Sequence, residues 1–117
     1  MFSYILKYYH TERMRQHRLN SMNRILAQIT DIFVTHFHSD HYNAECISQI
    51  AKASDRTLRV WVRADARRTD VANVEWKFMQ KGEQYTVDEN MKVTGLLANH
   101  NESVYPQHIL LETEKLL

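Results

Sequence analysis

At 117 residues the chain fits one domain, and 44% hydrophobic content is that of a globular protein rather than a disordered one. Lys and Arg number 15 against 14 Asp and Glu, so the formal charge is only +1, which gives no global electrostatic reason to expect nucleic acid or an anionic membrane as partner. A single cysteine, Cys46, excludes an internal disulfide, and no run approaches the roughly 18 apolar residues of a membrane span.

The first ten residues are aromatic and ambiguous between strand and helix. Lys7 interrupts Phe2, Tyr4, Ile5 and Leu6, and no small-residue cleavage site follows, so a cytoplasmic protein is the default expectation. From Thr11 the pattern is helical. Met22, Ile25, Leu26 and Ile29 recur on one face, while Arg13, Arg15, Arg18 and Arg24 form a basic stripe that reads as a solvated surface. Residues 1–28 thus form a basic helical segment ahead of the domain proper at 29–117.

Residues 31–35, DIFVT, are short, apolar and β-branched, the pattern of a buried strand. Residues 43–53 read as a helix capped by Asn43, with Cys46, Ile47, Ile50 and Ala51 on its inner face. Cys46 is expected there as a small buried hydrophobe rather than a nucleophile. A strand follows at 58–62, a short polar helix at 64–69 and a strand at 74–78. Gly82 marks a turn, residues 85–87 and 91–98 form a hairpin across Asp88-Glu89-Asn90, and 108–111 is a last strand. This order predicts a layered α/β fold with a mixed sheet. Its core is expected to hold Ile32, Phe33, Val34, Ile47, Ile50, Val60, Val62, Val93 and Leu97, with Trp61 and Trp76 packing on the sheet.

The unusual count is histidine: seven in all, of which His36, His38 and His41 crowd one strand end and His100 ends another. His36, His38, Asp40 and His41 are borderline-soft ligands that suit zinc better than calcium or magnesium. The i, i+2 spacing lets the rings of His36 and His38 leave an extended segment on one side, while Phe37 points the other way into the core. Packing does not explain four ligand-type residues at one strand terminus. His10, His17 and His108 read instead as ordinary surface or structural histidines.

The run His36-x-His38-x-Asp40-His41, preceded by an apolar strand and Thr35, resembles the defining motif of the metallo-β-lactamase fold. The helix, strand and helix that follow fit as well, as does the strand leading to His100, and the likeness spans roughly residues 29–113. The resemblance implies part of an αββα sandwich and a hydrolase acting by zinc-activated water on a phosphodiester or other ester-type bond. It implies that His36, His38 and His100 hold one zinc ion. Asp40 and His41 contribute to a second, and Asp40 also has the catalytic task of orienting the attacking water. The family's further bridging aspartate and distal histidine have no counterpart after His100, where the acids are Glu102, Glu112 and Glu114. The expectation is therefore an incomplete fragment with one zinc site complete and the second incomplete. Its partner is a small-molecule or phosphodiester substrate and no membrane, and an oligomer stays open. A catalytically silent zinc domain is the second reading. Nucleic-acid binding through the basic stripe with Arg67 and Arg68 ranks third.

Overall fold

The computed structural model describes residues 25–113. The basic stripe, His10, His17 and Met22 lie outside them. The chain is mixed α/β, with residues 25–27 helical and the following elements lying wholly within the described residues: β1 (Asp31–Phe33), α1 (Ala44–Ala53), β2 (Leu58–Arg63), β3 (Val74–Met79), β4 (Gln84–Asp88), β5 (Met91–Leu96) and β6 (His108–Thr113). Among these residues no helix is long and apolar enough to cross a membrane.

The single mixed sheet expected from the strand order does not form. The strands divide into two three-stranded sheets, β1-β2-β3 wholly parallel and β4-β5-β6 wholly antiparallel. The division falls at residues 80–83. There Gly82, at φ 81°, turns the chain and donates its N–H to the Gly95 carbonyl at 2.8 Å, so β4 joins β5 instead of continuing beside β3.

Strand alternation explains how the sheets stack. Ile32 and Val34 with Leu58, Val60 and Val62 face one side of the parallel sheet, where Ile47 and Ile50 of α1 complete a buried cluster. Trp61 and Met79 face the other side and pack against Val87 and Val93 of the second sheet, with Phe33, Ile109 and Leu111 at the margin. The result is a helix, a parallel sheet and an antiparallel sheet in three layers. The helix begins where the sequence places it, because the Asn43 side chain accepts the N–H of Cys46 at 3.1 Å. At the start of β1 the Asp31 carboxylate accepts hydrogen bonds from Arg59, from the Trp61 indole and from Thr30, all within 2.8 Å, which locks β1 beside β2.

Three expectations need correction. Leu97 is 66% exposed, because β5 ends at Leu96 and the chain leaves the sheet; Ala98 is buried in its place. Phe33 is half-buried rather than enclosed, since β1 is an edge strand. The polar helix at 64–69 shrinks to one 3₁₀ turn, Ala64–Ala66, ended by Arg67 in the left-handed region at φ 52°.

Candidate metal centre

The first three candidate ligands leave the carboxyl end of β1, where a parallel sheet gathers its ligand-bearing loops. After Val34 the chain turns back on itself, with the N–H groups of His41 and Tyr42 both donating to the His38 carbonyl at 2.9 and 3.0 Å. Phe37 and Tyr42 point inward from this loop, their ring centroids 4.7 Å apart, and pack against the helix-side core. The Arg68 guanidinium covers Phe37 at 4.5 Å, and the Tyr42 hydroxyl donates to Asp70 at 2.6 Å. With the aromatic side chains anchored below, the imidazoles are left to converge above.

His100 arrives from the other sheet, on the loop between β5 and β6. Several bonds hold that loop to β2 and to the segment just after β1. The Gln107 N–H donates to the Thr35 carbonyl at 2.8 Å, the Phe37 N–H donates to the Val104 carbonyl at 2.9 Å, and Arg63 of β2 reaches the Pro106 carbonyl at 3.1 Å. Arg63 also bonds Glu102 at 2.7 Å and Asp65 at 2.6 Å, and its guanidinium holds the Asp65 carboxyl below the usual range.

In consequence His36, His38 and His100 bring one ligand atom each to within 4.8 Å of one another. His100 Nε2 and His38 Nδ1 are 3.2 Å apart. Two nitrogens on one tetrahedral zinc, at bond lengths of 2.0–2.1 Å, stand about 3.3 Å apart, so this spacing fits the ion. The ring of His36 lies 4.8 Å from that of His100 and 5.0 Å from that of His38, centroid to centroid. The Thr35 hydroxyl meets His36 Nδ1 at 3.1 Å. When Nδ1–H donates to that hydroxyl, Nε2 keeps the lone pair that a metal needs.

A second group, His36, Asp40 and His41, also has its ligand atoms within 4.8 Å of one another. The His36 and His41 rings are 4.2 Å apart, and His41 Nε2 lies 3.5 Å from Asp40 Oδ2. The Asp40 side chain is 63% exposed, open to solvent and to any ligand. Burial, followed by the nearby rings of His41, His100 and His38, holds the His36 pKa below its ordinary value, with Asp40 pulling the other way. The neutral ring so favoured is the form that ligates metal. Three imidazoles at this spacing match a zinc donor set with one position open.

Cys46 is buried on α1 and its thiol is pushed up by that burial, the opposite of nucleophile activation. His108 is exposed on β6 and lines a cleft beside His36 and His100. Arg68 and Asp70, 3.6 Å apart, are engaged with the loop's aromatic underside. No local pattern marks Gln107, Arg63 or Asp70 as supports of the site, since each acts through a partner distant in sequence. No family model matches the chain and no curated protein matches its sequence.

Proposed function

We propose that the chain is the metal-binding portion of a zinc-dependent hydrolase of the kind its motif resembles, a partial metallo-β-lactamase sandwich acting on an ester-type bond. The observation that carries this reading is the meeting of His100 with His38 at 3.2 Å across 62 residues of sequence, on loops from two different sheets. An N–H···N hydrogen bond accounts for two exposed imidazoles at this distance, whereas a shared ion accounts for His36 converging on the same point as well.

His36, His38 and His100 would hold the first ion, and Asp40 with His41 would contribute to a second. Zinc bound there would supply Lewis-acid activation of water and of the oxygen under attack. For its own part the chain offers the Asp40 carboxylate, exposed beside the imidazoles, to accept a hydrogen bond from the attacking water and fix its approach. Thr35 sets the face of His36, and the Arg63 and Gln107 bonds fix the separation of the two ligand loops. A silent zinc domain is the second reading. It is favoured by His36 standing in both ligand groups, because one imidazole serves one ion and the Asp40–His41 pair is then short of ligands.

The test is zinc content together with turnover. Protein purified without chelator should hold close to one zinc per chain, and the triple alanine variant of His36, His38 and His100 should hold none. Absence of zinc in the wild type, or its retention in the triple variant, would sink the metal centre. Hydrolysis of ester substrates with saturating zinc, lost in Asp40→Ala, would establish the hydrolase; bound zinc with no turnover in either protein would establish the silent domain.

A further inference from the structure

An open strand edge offers its row of backbone N–H and C=O groups to another chain, and proteins usually blunt such edges. Among the described residues the edge strands are β1 and β3 in one sheet and β4 and β6 in the other. Three of them are blunted. β1 is only three residues long, β3 sets Glu75 and Lys77 along its length, and β4 is broken by a register shift between Thr86 and Asp88. β6 is different: its six residues, HILLET, pair with β5 in unbroken register and include no Lys, Arg or Pro.

The side chains of β6 also specify which strand fits beside it. Ile109 and Leu111 turn inward against the buried Val93 cluster, whereas Leu110 is 45% exposed on the outer face with Leu96, 41% exposed, beside it on β5. An antiparallel copy of the same strand can lie alongside in registers that differ by two residues, since any other step would turn one inner face outward. With the two-fold axis at Leu110, Leu110 meets its own counterpart, Ile109 meets Leu111 and His108 meets Glu112. Each apolar side chain then faces an apolar one, and each imidazole faces a carboxylate. Centring the axis on Ile109 would set His108 against Leu110, and centring it on Leu111 would set Leu110 against Glu112. One register satisfies both faces.

We infer that β6 is a dimerisation edge: a second copy of this chain adds its own β6 antiparallel, about a two-fold axis at Leu110, and joins the two antiparallel sheets into one of six strands. The outer leucines Leu96 and Leu110 then continue across the axis into the same pair of the partner. Gln84 already meets Glu112 Oε1 at 3.2 Å, and Oε2 accepts from the partner's His108. The pairing consumes both β6 edges and leaves the irregular β4 at each end, so assembly closes at two copies. One strand pair buries less than the roughly 1,200 Å² of a stable interface, so the dimer exchanges with monomer. This inference is independent of the metal centre.

Sedimentation velocity of the full chain, from low to high micromolar concentration, tests it. The wild type should pass from monomer to dimer and go no further. Leu110→Lys sets two ammonium groups against each other on the axis and should stay monomeric over the same range, with an unchanged circular dichroism spectrum because Leu110 is outside the core. Cross-linking fixes the register without relying on that variant. Under mild oxidation Leu110→Cys should form a disulfide-linked dimer, because directly opposed residues stand about 4.5–5.5 Å apart at Cβ. Glu112→Cys should not, because its counterpart lies further along the partner strand; the native Cys46 is buried and does not compete. A wild type that stays monomeric at the highest concentration, or one that grows beyond a dimer, would overturn the inference. So would a dimer undiminished in Leu110→Lys, or cross-linking equal at the two cysteine positions.

Discussion

Gln107 and Gly95 are fitted to one another: a Cβ placed on Gly95 would stand 2.5 Å from Gln107 Oε1. The buried Gln107 amide donates to the Val34 carbonyl at 3.0 Å while its main-chain N–H donates to Thr35. One residue thereby ties the start of β6 to Val34 and Thr35, just after β1, where the ligand loop begins. A glycine on β5 leaves room for it.

Gly95→Ala should therefore act by expelling the Gln107 amide and leaving the Val34 carbonyl unpaired, at a cost of about 1–3 kcal/mol. Gln107→Ala should cost a similar amount. The double variant should cost clearly less than the sum, because the alanine methyl at residue 95 then meets no amide. Urea midpoints of the four proteins give the cycle, and strict additivity would show that the two residues act apart.

Thr35→Val keeps the shape of the side chain and removes the hydroxyl that meets His36 Nδ1. Loss of such an outer partner costs metal sites roughly 10–100-fold in affinity, and a fall of that order is expected here. Competition with a chromophoric chelator measures it. Zinc affinity equal to wild type, in a variant of unchanged stability, would show that the hydroxyl does not set the His36 tautomer.

The Tyr42 phenol is buried and donates to Asp70, and both effects push its pKa well above the ordinary value. Unfolding returns it to about 10. At higher pH the unfolded chain loses a proton that the folded chain keeps, so this group's stabilisation is complete below about pH 10 and declines as the pH rises. The urea midpoint of the wild type should fall more steeply above that pH than that of Tyr42→Phe, by at most about 1.4 kcal/mol per pH unit. Parallel declines in the two proteins would refute it.

Much of this was legible in the sequence because it is local. The alternation of Ile32 and Val34, and of Leu58, Val60 and Val62, marks which side chains of each strand share a face, and Asn43 announces the start of α1 within one turn. The crowding of His36, His38, Asp40 and His41 follows from adjacency alone. Neighbouring residues also sufficed to predict that Phe37 turns inward while the imidazoles do not.

Tertiary structure decided the rest, because it depends on which strands pair and not on how each one alternates. Periodicity marks an apolar end for β5 but not its stopping point, so it places Leu97 in the core although that side chain is exposed. The same periodicity is satisfied by one mixed sheet or two separate ones, and the turn at Gly82 with its bond to Gly95 selected two. Outside the motif likeness, nothing near His100 marks it as a neighbour of His38. Their 3.2 Å approach exists because Gln107, Arg63 and Val104 hold the second sheet's loop against the first, and hydrogen bonds spanning tens of residues leave no local trace in a chain.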